Sequence, residues 1–283
     1  MAFDLHTFIL GVVQGLCEFL PVSSSGHLAL LQNFFGFNQD GLLAFDILLH
    51  CATMLAILIF FRREIGRLLV RWTSGLFSRN ARQTLEWKYG WSILLASALT
   101  AAVGLPLKKT VEKMMESSLA VGCGLLVTAG LLAVVPLWTA EENTLSEGQT
   151  PRPRTEISLQ LRAVIVVGIV QGLAVLPGIS RSGSTIAAGL IMGLAVGEAF
   201  RFSFLISIPA VLGASLLEAL KLFRDGDMAL PVGWFWAAAA AFVLGWIALK
   251  LMHRLVLSGR WAYFGLYCLL LGSASILAAL EIF

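Results

Sequence analysis

Gly11-Val12-Val13-Gln14-Gly15-Leu16 returns, with a single change, as Gly168-Ile169-Val170-Gln171-Gly172-Leu173, and each copy runs on to Leu-Pro and a serine-glycine cluster. The first continuation is Leu20-Pro21-Val22-Ser23-Ser24-Ser25-Gly26-His27. The second is Leu176-Pro177-Gly178-Ile179-Ser180-Arg181-Ser182-Gly183, with the glutamine-to-proline distance one residue shorter. Two blocks recurring in the same order define an internal repeat. Repeats of polytopic membrane proteins are often inverted in the bilayer, with the functional site at their interface and built from broken helices. The two clusters are therefore expected to face each other.

Composition sets the class in which this repeat is read. Of 283 residues, 58% are hydrophobic and 13% charged, and the mean hydropathy is +0.85. A soluble domain carries about a quarter charged residues, so the expected fold is all-α, a polytopic integral membrane protein. The net charge of +3 comes without a basic block interleaved with aromatics, which excludes a nucleic-acid partner. Cys17, Cys51, Cys123 and Cys268 are widely spaced and mostly inside apolar runs, as small buried hydrophobes rather than a disulfide frame or metal site.

The first 61 residues hold no Lys or Arg, so the start lacks the positive region of a secretory signal. Leu5 to Leu20 is a run of 16 residues, short of the roughly 20 needed to span a bilayer, and Pro21 ends it. Two short apolar helices around a serine-rich turn read as a re-entrant hairpin, which is tolerated at depth only where it lines a cavity within the protein. The expected first half is 1–138, with a hairpin at 5–35 and spans at 42–61, 91–105 and 120–138. A hydrophilic linker, 139–158, separates it from a second half, 159–283, with a hairpin at 163–194 and spans at 202–220, 232–252 and 263–283. That makes about six full transmembrane helices and two re-entrant hairpins. Arg62, Arg63, Arg67, Arg71, Arg79, Arg82 and Lys88 follow the first span, and Lys250, His253, Arg254 and Arg260 precede the last. The positive-inside rule makes both loops cytoplasmic, so the first hairpin opens from outside and the second from inside. This is the inverted arrangement reached by an independent route.

Chemistry has few candidates in so apolar a chain. Arg181 is the only basic residue between Arg162 and Arg201, and an intramembrane charge is a functional-site hypothesis with a partner to be found. Gln14 and Glu18 are four residues apart on one helix face, and the first 61 residues offer Glu18 no Lys or Arg, so Arg181 is its expected counterion. The hydroxyls and glycines of Pro177 to Thr185 suit an anion site. His27 lies close enough to Ser23-Ser24-Ser25 to act as a base or to be a nucleophile itself.

At these residues the chain resembles a known family. Gln14-Gly-Leu-Cys-Glu18, Pro21-Val-Ser-Ser-Ser-Gly-His27 and Pro177-Gly-Ile-Ser-Arg-Ser-Gly-Ser-Thr185 are similar to the signatures of the bacterial undecaprenyl-diphosphate phosphatases, the bacitracin-resistance membrane phosphatases. The resemblance implies hydrolysis of undecaprenyl diphosphate, the C55 isoprenoid diphosphate, to the monophosphate carrier used for peptidoglycan. It implies a multi-pass protein of the bacterial inner membrane, a site opening to the periplasmic side, a polyprenyl diphosphate lipid as substrate, membrane lipids around it, and dimers. It also implies support by a divalent cation, Mg2+ or Ca2+. Carried over residue by residue, Glu18, Ser24, His27, Ser180, Arg181 and Thr185 fall on functional positions. Gln14 stands where many members have glutamate, which weakens any scheme in which two carboxylates chelate a metal.

The expected chemistry is phosphoryl transfer, driven by positioning and charge stabilisation. Glu18, Ser24, His27 and Arg181 are the expected catalytic residues. Ser23, Ser25, Ser180, Arg181, Ser182 and Thr185 are the expected phosphate ligands, with Glu18 and Gln14 as candidate metal ligands. The attacking group is Ser24 activated by His27, His27 itself, or water. The competing reading is a transporter or lipid flippase using the same polar site, since inverted repeats with broken helices are also transporter architecture.

Overall fold

A computed structural model describes residues 3–35, 42–144, 160–225 and 230–280. The linker expected at 139–158 therefore falls largely outside the described residues. Twelve α-helices follow in chain order: α1 Leu5–Phe19, α2 Ser24–Phe35, α3 Leu42–Phe60, α4 Arg62–Phe77, α5 Leu85–Gly104, α6 Lys108–Met115, α7 Ser118–Thr144, α8 Leu161–Leu173, α9 Arg181–Ile191, α10 Val196–Asp225, α11 Trp234–Leu257 and α12 Ala262–Ala279. Among the described residues there is no β-strand.

The hairpins form as the turn chemistry dictates. Asp4 starts α1 by accepting the Thr7 N–H at 2.7 Å, a side-chain N-cap. The helix stops at Phe19 because Leu20, which precedes Pro21, is extended, the conformation that a following proline imposes. The second hairpin breaks between Leu173 and Arg181, where Ser180 caps α9. At 15 and 12 residues for α1 and α2, and 13 and 11 for α8 and α9, no hairpin helix is long enough to cross a bilayer.

Among the described residues five helices are long and apolar enough to cross a membrane, α3, α5 (in a run continued by α6), α7, α10 and α11. The apolar run of α12, Tyr263–Ala279, is shorter than these. The basic stretch after α3, expected as a loop, is instead the amphipathic helix α4. Its arginines keep it from reading as a span, yet Ile65, Leu68 and Trp72 recur at helical spacing. Gly75 and Gly90 make room for indoles: a Cβ at Gly75 would lie 2.2 Å from Trp87, and one at Gly90 2.4 Å from Trp72. Trp72, Trp87 and Trp91 consequently cluster with centroids 5.7–6.1 Å apart. That packing carries α5 back to Leu85, ahead of the span expected from residue 91. Short α6 lies outside the expected spans, and α10 runs well past the expected 202–220 at both ends.

Crosswise packing of corresponding helices gives the repeat its form. α1 lies along α11, with Gly11 against Ala237 and Gly15 against Ala241. Its counterpart α8 lies along α5, with Gly168 against Ala96 and Gly172 against Thr100. A Cβ at Gly11 would fall 2.3 Å from the Ala237 carbonyl, so these are backbone-to-backbone approaches that only glycine permits. α7 and α12 pair with each other antiparallel, Gly122 meeting Ile276 and Gly265 meeting Leu132. One end of the bundle gathers the C-terminal ends of α3 and α11 and the N-terminal ends of α5 and α10. There Arg201 pairs with Glu64 and sits 4.9 Å above the Tyr89 ring, and His253 packs on Phe60 and Phe200. Counterparts α3 and α10 thus run in opposite directions, as do α5 and α11, which is an inverted repeat. α1 enters from the opposite end and α8 from this one, and their broken tips meet inside.

Candidate active site

Each tip is held by unusual backbone. Ser23 has φ +68°, a left-handed conformation that costs a non-glycine residue about 1–2 kcal/mol. It turns the Ser23 carbonyl back over α2, where it accepts both the His27 N–H at 3.2 Å and His27 Nδ1 at 2.7 Å. In the second tip Gly178 has φ +86°, and Thr128 of α7 substitutes for the missing helix partners. Thr128 Oγ1 donates to the Gly178 carbonyl at 2.8 Å and accepts the Ser180 N–H at 2.9 Å. The two tips touch: a Cβ at Gly26 would lie 3.0 Å from Gly178 Cα, and one at Gly183 3.1 Å from Pro21 Cβ.

At this junction the expected charge pair forms. Glu18 Oε1 accepts Arg181 Nη2 at 2.6 Å, and the two side chains are only 8% and 15% exposed. Glu18 Oε2 accepts Ser24 Oγ at 2.7 Å and Gln14 Nε2 at 3.1 Å, while His50 Nε2 lies 3.9 Å away. A buried charge survives only when paired and hydrogen-bonded, and Glu18 has both forms of support. Arg181 Nη1 and Gln14 Oε1 are buried with no hydrogen-bond partner. Unspent buried polar atoms beside a charge pair are where an incoming polar group can bind.

Not every expected residue arrives with its side chain free. Ser180 Oγ accepts the Gly183 N–H at 3.1 Å as the α9 cap, Ser182 Oγ donates to the Leu20 carbonyl at 3.3 Å, and Thr185 Oγ1 donates to the Arg181 carbonyl at 2.7 Å. Ser23 and Ser25 face each other at 3.3 Å. These hydroxyls hold the loops. Ser24 is the one tip serine bonded to a charged group, and its partner is Glu18 rather than His27. His27 instead uses Nδ1 on Ser23 and Nε2 on the Tyr267 hydroxyl at 2.7 Å.

His50 and Tyr267 lie outside the expected set. His50 stands four residues after Asp46 in apolar α3, and that pair of polar residues on one face was an available signal. For Tyr267, one of three aromatic residues in apolar α12, no sequence signal existed.

As a donor set for a divalent cation, Glu18 and Gln14 supply one carboxylate and one amide oxygen, and both Glu18 oxygens are already engaged. Among the described residues no cluster of three or more His, Cys, Asp or Glu could hold a metal ion. A Mg2+ held by one or two protein oxygens keeps several waters and takes substrate phosphate oxygens, so Glu18 and Gln14 would supply only part of such an ion's shell.

The chain matches the family described as "Bacitracin resistance protein BacA" over residues 7–274. It is similar to the undecaprenyl-diphosphatase of Desulfosudis oleivorans, 42% identical with 95% of this chain and 96% of that protein covered. The undecaprenyl-diphosphatase of Parabacteroides distasonis is 39% identical, with 97% and 98% covered. That of Methanosphaera stadtmanae is 37% identical, with 96% and 97% covered.

Proposed function

The chain belongs to the bacitracin-resistance BacA family, and from that membership we propose that it is a multi-pass membrane phosphatase that hydrolyses undecaprenyl diphosphate to undecaprenyl phosphate and inorganic phosphate. The names of its full-length relatives support the substrate. The observation that carries the chemistry is the junction of Glu18, Ser24 and Arg181, where a hydroxyl bonded to a carboxylate stands beside a guanidinium with an unspent N–H.

In this reading Arg181 takes up a terminal phosphoryl oxygen through Nη1, the planar fork that suits a phosphate. Glu18 Oε2 receives the Ser24 proton, Ser24 Oγ bonds to the terminal phosphorus, and the bond from that phosphorus to the bridging oxygen breaks. The prenyl monophosphate leaves with the bridging oxygen. Water then attacks the phosphoserine, its proton passing to His27 Nε2, which is one turn along α2 from Ser24. The phosphorus–Oγ bond breaks, inorganic phosphate departs, the Glu18 proton returns to Ser24, and His27 gives up its proton to solvent water. The prenyl tail lies on the apolar helix surface in the membrane. The basic residues of α4 and the end of α11 support a cytoplasmic placement of that end, so α1 enters from the extracytoplasmic side of the inner membrane and the site opens there.

The deciding experiment is phosphate release from undecaprenyl diphosphate by the detergent-purified chain. Activity in the wild type that is lost in Ser24→Ala and Arg181→Lys, with both variants folded, is expected. A folded wild type that binds the lipid but releases no phosphate would refute the enzyme.

A further inference from the structure

We propose that Tyr267, on α12 of the second half, is a positioning residue for His27; the inference rests on the phosphatase reading and assigns a residue outside both hairpin tips to its site. The geometry is specific. The Tyr267 hydroxyl lies 2.7 Å from His27 Nε2, and the two rings stack with centroids 5.6 Å apart and planes within 7° of each other. On its other side the imidazole meets the Ser23 carbonyl at 2.7 Å from Nδ1.

A carbonyl only accepts, so Nδ1 carries the hydrogen. In the neutral ring Nε2 is then the bare nitrogen, and the Tyr267 hydroxyl must be the donor to it. Ser23 therefore selects the tautomer, through its left-handed φ of +68°, while Tyr267 fixes the direction of the Nε2 lone pair and the plane of the ring. The same helix supports the tip from one residue on, where Cys268 Sγ lies 3.8 Å from the Pro21 carbonyl.

This gives α12 a chemical task. The imidazole is held ready as a base with its lone pair aimed, and a hydrogen of the attacking water takes the place of the Tyr267 hydroxyl at Nε2. Tyr267 is 45% exposed, so the hydroxyl can swing aside without repacking a core.

The test pairs kinetics with spectroscopy on the full chain. Tyr267→Phe keeps the ring and removes only the hydroxyl. Its kcat for undecaprenyl diphosphate should fall about ten- to a hundredfold with KM within a factor of about two, and Tyr267→Leu, which also loses the stack, should fall further. In 15N-histidine spectra, with the His27 signals identified from His27→Gln, wild-type Nε2 should be unprotonated and hydrogen-bonded, and in Tyr267→Phe it should move towards the free imine position. Unchanged kcat in Tyr267→Phe, a rise in KM alone, or an unmoved Nε2 resonance overturns the proposal. Should Tyr267→Phe fail to fold, the wild-type spectrum decides, because a protonated Nε2 in the neutral ring contradicts the assigned donor. A wild type without phosphatase activity would remove the reading on which this rests, and the hydrogen bond would still stand or fall on the Nε2 resonance.

Discussion

Glu18 and Arg181 stand 163 residues apart in the chain and 2.6 Å apart in space, each at the broken end of a hairpin that enters from the opposite side of the bundle. The pair both closes the fold and equips the site, so its removal is expected to have separable effects.

Breaking one member leaves the other charged and buried, which costs about 3–5 kcal/mol. Arg181→Gln and Glu18→Gln should each lose most activity, and Arg181→Gln should be the less stable, since it strands a carboxylate. The double variant Glu18→Gln/Arg181→Gln should recover much of the stability and none of the turnover. Thermal unfolding in detergent alongside phosphate release checks this, and a double variant no more stable than Arg181→Gln would show that the pair is not what burial depends on.

Ser24 and His27 differ in the adduct they could trap. Because Ser24 is bonded to Glu18, a quenched turnover with substrate labelled in its terminal phosphate should yield an acid-stable phosphoenzyme that is absent from Ser24→Ala. Slowing the second step with His27→Gln should raise its steady-state amount. An acid-labile, base-stable adduct that survives in Ser24→Ala would move the nucleophile to His27.

The contact between tips can be caught covalently. With Cys17, Cys51, Cys123 and Cys268 replaced, cysteines at Pro21 and Gly183 should form a disulfide on mild oxidation, since their Cβ positions fall 3.1 Å apart, near the range a disulfide bridges. Mass-spectrometric detection of the linked peptides is the readout. A pair that stays reduced under oxidants that link an exposed control would separate the hairpins.

Gly124 and Gly130, both on α7, provide a contrast within one helix. A Cβ at Gly124 would lie 2.2 Å from the Pro177 carbonyl, whereas nothing lies within 4 Å at Gly130. Gly130→Ala should be neutral or gain up to about 1 kcal/mol in helix propensity. Gly124→Ala should lose about 1–3 kcal/mol by overpacking and lower activity by shifting the second tip. Equal midpoints for the two variants would mean that α7 does not support that loop.

The repeat made the broken hairpins, their crossing and the Glu18–Arg181 pair legible before any coordinates. Gly11 and Gly168 sit in matching apolar runs, and a buried acid in one half needed the base in the other. Ser24 was legible as a reactive residue but not its partner. Spacing along α2 suggested His27, while the left-handed turn at Ser23 draws the imidazole onto its own carbonyl, and the approach of α1 to α2 brings Glu18 to Ser24. α4 was hidden because its charges outweigh its apolar stripe in any average. Thr128 and Tyr267 were invisible because each acts across a tertiary contact, which leaves no mark in the sequence around it, whereas His50 was marked only by its spacing of four from Asp46.

The lengths of α1 and α8 decide where a lipid headgroup must travel. At 15 and 13 residues they rise about 22 and 20 Å, together about the 40–45 Å of a bilayer with its headgroups. In the proposed placement they enter from opposite faces and bring Glu18 and Arg181 together close to the midplane. A diphosphate reaching them has to sink well below the level at which lipid phosphates rest and shed water on the way. That descent works as a filter: free phosphate esters in solution gain nothing by making it, whereas a diphosphate tethered to a long prenyl chain arrives with its anchor already in the hydrocarbon. The released phosphate, lacking an anchor, has only the aqueous direction left to it.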